Sequence, residues 1–276
     1  MSLRNKLQMA GISDVGLRRG HNEDRIATDP RLGLAVLADG MGGYRAGEVA
    51  SAMAVSVIVE ELRKGLRHNP PQRLDEDSGY TLGSLLVREA IGRANESIYQ
   101  AAQEQPQCQG MGTTLVSLLF YDNQVSVAHV GDSRLYRLRR GEIEQLTADH
   151  SLMQELIDRG FYTPEEARRN VQKNLVTRAV GVDPTVNADL QEEPVLPGDL
   201  YLLCSDGLSD LVDDEGIRTT LTRYGNHLPE AAERLVQQAN ANGGTDNISV
   251  ILVRALRPFP ARRHGGWYSR MLDWFT

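Results

Sequence analysis

The stretch from Leu34 to Gly43, L-A-V-L-A-D-G-M-G-G, decides the fold because an apolar run of strand length passes directly into an aspartate and a glycine-rich turn. Neither a helix interior nor a strand interior accommodates so many glycines well. The pattern therefore predicts a buried strand that ends at Asp39, with the Asp39 side chain at the open end of a sheet.

Three other aspartates stand beside apolar runs. Asp206 follows L-Y-L-L-C-S, Asp132 follows S-V-A-H-V-G, and Asp246 comes just before the run that starts at Ile248. A single Asp-Gly after a strand usually marks only a turn, but several carboxylates at buried strand ends repel one another unless positive charge lies among them. The set predicts an oxygen-rich site for a hard divalent cation such as Mg²⁺ or Mn²⁺.

Length and charge narrow the class of protein. The chain has 276 residues, 41% of them hydrophobic, which is enough for one large domain, and its formal net charge is −7. An acidic protein is a poor partner for nucleic acid or an anionic membrane, so a protein substrate or a small molecule is favoured. The two cysteines have no C-x-x-C spacing, and no stretch resembles a signal peptide or a membrane span. We expect a cytoplasmic location.

The periodicity of apolar residues predicts the elements around this site. Helical spacing indicates helices near 48–67, 82–103, 214–223 and 229–240, and the remaining apolar runs are strands separated mostly by hairpin-scale turns. Such a pattern is typical of antiparallel sheets covered by helices, an α+β layered sandwich.

Two segments differ from this pattern. Residues 149–177 form short, charged helical pieces that we interpret as a flap near the site. Arg168, Arg169 and Lys173 in this flap either contact an acidic or phosphorylated peptide or form a solvated helix face.

The main domain is predicted to span 1–255. The tail, 256–276, holds both tryptophans and four arginines, and is either a docking or membrane-surface segment or a terminus whose aromatic side chains pack back on the body.

Five motifs occur in a characteristic order along the chain. They are R-G-H-N-E-D from Arg19, D-G-M-G-G from Asp39, G-D-S-R from Gly131, S-D-G-L from Ser205 and G-T-D-N from Gly244. This set resembles the PP2C (PPM) family of metal-dependent Ser/Thr protein phosphatases, in its compact bacterial form. The resemblance implies a four-layer α-β-β-α sandwich, with two antiparallel sheets between helix layers and the metals in a cleft at one edge.

The resemblance also implies a role for each acidic residue of these motifs. Two Mn²⁺ or Mg²⁺ ions would be bridged by Asp39, and a third ion is often bound in bacterial members. The other residues implied are the Gly40 carbonyl, Asp206 and Asp246 as ligands of the pair, Glu23 as a ligand through water with Asp24 supporting it, and Asp132 with Asp206 for the third ion.

Arg19 and Met41 bear on phosphate binding and on protonation of the leaving group. Arg19, four residues before Glu23, matches the family arginine that binds phosphate, with Arg18 as the alternative. Met41 stands where many eukaryotic members have a histidine that is proposed to protonate the leaving alcohol, so that proton must come from another source. The resemblance implies that water activated by metal, rather than a protein side chain, attacks phosphorus. Neither cysteine is followed six residues later by the arginine of a cysteine-phosphatase loop, which agrees with that mechanism.

The histidines offer no paired metal-binding spacing, because none is followed by another four residues later. His129 lies in an apolar run and is predicted to be a core residue. His21 and His150 flank charged loops and are candidates for the neighbourhood of the cleft.

We expect an active, monomeric phosphatase that acts on phosphoserine and phosphothreonine in proteins and opposes a bacterial Hanks-type Ser/Thr kinase. One alternative is a catalytically silent homologue that acts as a binding or scaffold module, although every metal-binding acidic residue of the motifs is present. Another is a phosphatase dedicated to one regulator, such as an anti-sigma-factor antagonist, but no sensory module precedes Gly11.

Overall fold

The computed structural model describes residues 3, 5–43, 46–171 and 175–259, and of Arg168 only the backbone. The strands in this part of the chain are β1 (Leu7–Asp14), β2 (Asp24–Asp29), β3 (Leu34–Met41), β4 (Gly112–Thr113), β5 (Leu115–Tyr121), β6 (Gln124–Val130), β7 (Arg134–Arg139), β8 (Glu142–Gln145), β9 (Asp189–Pro194), β10 (Leu200–Cys204) and β11 (Ile248–Ala255). The helices are α1 (Ala46–His68), α2 (Leu82–Glu104), α3 (Leu152–Asp158), α4 (Pro164–Asn170), α5 (Asp206–Ser209), α6 (Asp214–Tyr224) and α7 (Leu228–Ala241).

The strands form two antiparallel sheets. One has the order β1-β11-β10-β7-β8, and the other has the order β2-β3-β5-β6-β9, with the short β4 paired to the end of β3. Side chains alternate between faces along each strand, so Ala35 and Leu37 of β3 meet Tyr201 and Leu203 of β10 in the core between the sheets. This alternation places the apolar neighbours of each of these residues on the outer faces.

Helices cover both outer faces. On one side α1 and α2 pack Ile58 and Ile91 against Val36 of β3, and on the other α6 and α7 pack around Leu202 of β10 and Leu252 of β11. The layers therefore follow the order helix, sheet, sheet, helix. The predicted α+β four-layer sandwich is confirmed.

The topology brings the motif aspartates to one end of the sheets. Asp24 begins β2 and lies opposite Asp39 on the neighbouring antiparallel strand β3. Asp206 follows the end of β10, and Asp246 precedes the start of β11, which pairs antiparallel with β10. In an antiparallel pair, the start of one strand lies beside the end of its neighbour. These residues therefore gather at the same end of the sheets.

The predicted bounds need small corrections. The strand through Leu34 does not end at Asp39 but continues to Met41, because Gly40 and Met41 pair with Thr113 and Gly112 of β4. Helices α1 and α2 match the predicted segments to within two residues at each end.

The predicted flap contains α3 and α4. Thr163 and Glu166 form a capping box at the start of α4, with Pro164 in the first turn. Arg169 is exposed, whereas Lys173 and the Arg168 side chain lie outside the part that the structure describes. The two interpretations of these cations thus both remain predictions.

The end of the described chain packs on the body. Phe259 is buried and contacts Phe120 with ring centroids 6.2 Å apart. Residues 260–276, which hold both tryptophans, lie outside the described ranges, so the boundary at 255 and the role of the tail stay predictions. Among the described residues, no helix combines the length and apolar character that crossing a bilayer requires.

Two helical glycines give a test of the packing at the start of α1. A Cβ at Gly47 would lie 2.7 Å from the Gly40 carbonyl carbon, whereas a Cβ at Gly92, on the exposed face of α2, would meet no atom within 4 Å. We expect Gly92→Ala to raise the free energy of unfolding by about 0.5–1 kcal/mol, because alanine favours the helix. We expect Gly47→Ala to lower it by about 1–3 kcal/mol, because the backbones must separate. Urea denaturation measures both, and equal effects of the two variants would contradict this packing.

Candidate metal centre

Asp24 and Asp39 face each other across β2 and β3 at the open edge of their sheet. Burial raises the pKa of Asp24 to about 6, although hydrogen bonds from Ser249 and Ser205 partly offset it. Burial also raises the pKa of Asp39 well above its usual range, and the neighbouring carboxylate of Asp24 raises it further. Like charges directly opposite each other destabilise a strand pair, so this arrangement needs either a retained proton or a compensating cation.

The other motif aspartates belong to the same cluster. Burial raises the pKa of Asp206 well above its usual range, and the charges of Asp132 and Asp246 add to that effect. Burial, followed by repulsion from Asp149, raises the pKa of Asp132 to about 6. Carboxylates from four separate strand ends therefore lie close enough to repel one another, as the sequence predicted.

Three carboxylate oxygens of the cluster are buried without a hydrogen bond from any residue that the structure describes. They are Oε1 of Glu23, Oδ1 of Asp24 and Oδ1 of Asp206. His21 Nε2 lies 3.4 Å from Glu23 Oε1, but without hydrogen-bond geometry. A buried charged oxygen that lacks a partner is costly, and hard divalent cations take such oxygens as ligands. The residues present therefore fit Mg²⁺ or Mn²⁺.

Gly40 follows Asp39 where the backbone packs closely against the start of α1. Its N–H donates to the carbonyl of Glu23 at 3.2 Å, and a Cβ at this position would lie 2.1 Å from the carbonyl oxygen of Gly47. Only glycine fits between β2 and α1 here. The motif glycine thus brings the Gly40 and Glu23 backbones together beside the carboxylates.

Arg19 lies at the rim of the cluster. Its Nη2 donates to Asp246 Oδ2 at 2.6 Å, and the Arg19 side chain is 52% exposed. That hydrogen bond raises the pKa of the Arg19 guanidinium, and Glu23 and Asp206 also act on it through their charges. Arg18, the alternative, contributes a backbone N–H to the carbonyl of Gly244. The geometry favours Arg19 as the cation beside the site.

Asn247 and Ser205 organise the cluster, and the sequence analysis gave neither a role. Asn247 Oδ1 accepts the N–H of Glu23 at 2.8 Å, while its Nδ2 donates to the carbonyls of Val15 and His21 at 3.0 Å. Ser205 Oγ donates to Asp24 Oδ2 at 2.9 Å. Both residues stand inside quoted motifs, next to Asp246 and Asp206, which was the one available signal.

The G-D-S-R turn is held by its own neighbours. Ser133 and Thr114 share a hydrogen bond of 2.7 Å between their hydroxyls, and the Thr114 N–H donates to the Asp39 carbonyl at 2.8 Å. Arg134 makes a bidentate pair with Asp149, through Nε at 3.0 Å and Nη2 at 2.7 Å. This arginine therefore anchors Asp149 at the start of the flap.

His129, His150 and Asp189 form a second group outside the carboxylate cluster. His129 is buried, as predicted, but it stacks on His150 with ring centroids 4.6 Å apart. Ligand atoms of the three residues lie within 4.8 Å of one another, which is a spacing suited to a metal ion. However, Arg178 Nη1 lies 2.6 Å from Asp189 Oδ1 and 3.2 Å from His150 Nε2, so a cation already occupies this position. We assign no metal to this group.

Comparison with known proteins agrees with this geometry. The family model for protein phosphatase 2C matches residues 18–241. This chain belongs to the protein phosphatase 2C family. The match includes every carboxylate described above except Asp246, which lies just beyond it.

Curated relatives of this PP2C chain are bacterial. It is 41% identical to the serine/threonine protein phosphatase PstP of Mycobacterium tuberculosis, over 89% of this chain and 44% of PstP. It is 36% identical to the serine/threonine phosphatase stp of Listeria welshimeri, over 87% of this chain and 93% of that protein. The chain thus spans less than half the length of PstP but nearly all of stp.

Solved structures of PP2C phosphatases share the fold. The catalytic domain of PstP, crystallised in complex with two manganese ions, superposes with a TM-score of 0.79 at 37% identity, covering 91% of this chain and 99% of that one. That PstP structure shows that a relative with this fold binds manganese.

The raised carboxyl pKa values predict how pH affects stability. A carboxyl whose pKa is higher in the folded state binds more protons there, so EDTA-treated protein should lose stability as pH rises from about 4 to above 6. We expect the melting temperature of EDTA-treated protein to be lower at about pH 8 than at about pH 5, and Mn²⁺ to raise it more at the higher pH. Differential scanning fluorimetry measures this. Asp206→Asn should weaken both effects, and an equal Mn²⁺ response at the two pH values would contradict the interpretation.

Proposed function

We propose that this protein hydrolyses phosphoserine and phosphothreonine in proteins, with water as the nucleophile and two Mn²⁺ or Mg²⁺ ions as cofactors. The observation that carries the proposal is the set of buried carboxylate oxygens of Glu23, Asp24 and Asp206 that have no hydrogen-bond partner among the described residues, at positions that the family motifs assign to metal ligands or to their support. The names of the relatives support it, since both PstP and stp are Ser/Thr phosphatases.

The proposed ligands come from both sheets. Asp39 would bridge the two ions, and the Gly40 carbonyl, Asp206 and Asp246 would complete their coordination. Glu23 would bind through water. Asp24 would support these ligands without being one of them. Ser205 donates to one of its oxygens, and the other oxygen has no hydrogen-bond partner among the described residues. We further propose that Asp132 and Asp206 bind a third ion.

When bound, the ions lower the pKa of a water and neutralise charge on the phosphoryl oxygens. The chain itself contributes orientation. Arg19, at the rim and more than half exposed, would grip two phosphate oxygens with its planar guanidinium. Met41 carries no transferable proton, so the leaving alcohol must be protonated by another group.

The substrate is proposed to be a phosphorylated protein, and the partner enzyme a Hanks-type Ser/Thr kinase. We propose a cytoplasmic location because Cys108 and Cys204 are both free and buried, as is usual in reducing compartments. That the protein is monomeric remains a prediction. This chain covers 44% of PstP and 93% of stp. That it shares a substrate with either protein is likewise a proposal.

Removal of the proposed bridging ligand should abolish catalysis without unfolding the protein. We expect Asp39→Asn to lower Mn²⁺-dependent kcat on p-nitrophenyl phosphate and on a phosphothreonine peptide by roughly 100-fold or more, because loss of mere supporting residues already costs about 10–100-fold. Asp77→Asn, in the exposed loop before α2, is the matched control and should retain full activity. EDTA should abolish wild-type activity. Turnover without metal, or normal turnover by the Asp39 variant, would refute the proposed mechanism.

Arg19 and Arg18 allow a matched test of the phosphate grip. We expect Arg19→Ala to raise KM by about 10- to 100-fold, corresponding to a lost charge-assisted hydrogen bond of about 1.5–3 kcal/mol, with a smaller change in kcat. Arg18→Ala should leave KM near the wild-type value. Steady-state kinetics at saturating Mn²⁺ separate the two, and the reverse result would reassign the role to Arg18.

A further inference from the structure

His150 is joined to the G-D-S-R turn by two hydrogen bonds. Its backbone N–H donates to the Gly131 carbonyl at 3.0 Å, and the Gly131 N–H donates to His150 Nδ1 at 3.0 Å. Gly131 has a φ of +100° and packs against Thr114, so the turn has a conformation that favours glycine. Because Gly131 directly precedes Asp132, the position of the histidine ring fixes the start of that aspartate's turn.

The same histidine lies at the base of the flap. The His150 carbonyl accepts the N–H of Thr177 at 2.8 Å, and the Leu152 N–H donates to the Leu175 carbonyl at 2.9 Å. The chain therefore enters and leaves the flap side by side at this point. His150 is thus hydrogen-bonded both to the turn of Asp132 and to the returning end of the flap.

The imidazole ring is held in one orientation. It stacks on His129 at an interplanar angle of 24°, and burial, reinforced by the nearby His129, lowers the pKa of His150. The Gly131 N–H can only donate to Nδ1, so the neutral ring carries its proton on Nε2, which lies 3.3 Å from Asp189 Oδ2. Arg178 Nη1, 3.2 Å from Nε2, then contacts the ring without donating to it. A neutral ring with this tautomer can accept from Gly131 through Nδ1 while Nε2 faces Asp189.

We propose that His150 is a positioning residue for Asp132, which couples the base of the flap to the ion that Asp132 binds. This inference rests on the proposed function, in which Asp132 is a metal ligand. His150 acts through the backbone of Gly131, so its effect should fall on the Asp132-dependent ion and not on phosphate binding.

Two polar substitutions separate this role from simple filling of space. His150→Asn places an amide oxygen near the position of Nδ1, where it can accept from Gly131, whereas His150→Gln extends its amide toward the position of Nε2. Mn²⁺ binding is measured by isothermal titration calorimetry and electron paramagnetic resonance, and kcat and KM on p-nitrophenyl phosphate are measured alongside. We expect the glutamine variant to weaken the Asp132-dependent ion roughly 10-fold or more, the range seen when a supporting residue is lost. The asparagine variant should bind that ion nearly as the wild type does, and KM should be unchanged in both.

Two further variants distinguish the possible failures. Asp132→Asn identifies the ion in question, and if it removes none, the ligand assignment of the proposed function is wrong. If it removes one ion but His150→Asn and His150→Gln bind Mn²⁺ alike, the positioning role is overturned. Asp189→Asn leaves the two bonds to Gly131 intact and should retain the ion. A loss there equal to that of the glutamine variant would also overturn the proposal, because the effect would then run through Asp189.

Discussion

Repulsion among buried carboxylates is the constraint on which the rest of the structure depends. Asp39, Asp24, Asp132 and Asp206 each have a raised pKa, and burial is the first cause in every case. A chain that collects such groups must either keep protons on them or place a cation among them. The surrounding hydroxyl, amide and backbone hydrogen bonds act to hold the carboxylates in place, and they leave some buried oxygens without a partner in the part of the chain that the structure describes. This is the arrangement of a preorganised cation site.

The cluster also joins the two sheets. Asp24 and Asp39 lie on β2 and β3 of one sheet, whereas Asp206 and Asp246 flank β10 and β11 of the other. An ion shared by these residues would therefore connect both halves of the sandwich, in addition to the apolar core between them. Because such an ion binds the folded chain, its binding free energy adds to the stability of the whole domain. Metal binding and the integrity of the fold would thereby be coupled.

The sequence predicted the layers and the acidic cluster because both follow from short-range patterns. The continuous apolar runs of β3 and β10 indicate strands buried on both faces, and an apolar run followed by Asp-Gly gives a strand end. What it could not give is which polar side chain satisfies which distant group. Asn247 reaches Glu23 across 224 positions of sequence, and Arg134 pairs with Asp149, 15 positions further along the chain. The core prediction for His129 was right for burial but missed its stacking partner His150, since that contact depends on where the start of the flap packs.

Arg19 shows how a residue can be paired and still available. Its hydrogen bond to Asp246 is short, but the guanidinium is 52% exposed, and exposed ion pairs contribute only about 0–1 kcal/mol. Exchange of Asp246 for a phosphate group therefore costs Arg19 little, while a dianionic phosphate offers it two oxygens in the bidentate geometry that a guanidinium favours. Cations bound by Asp246 would compensate the negative charge of its carboxylate. The attraction between Asp246 and Arg19 would then be weaker, which favours the exchange further. The pair between Arg19 and Asp246 is thus compatible with a role of Arg19 in phosphate binding, because Arg19 can leave Asp246 for the substrate.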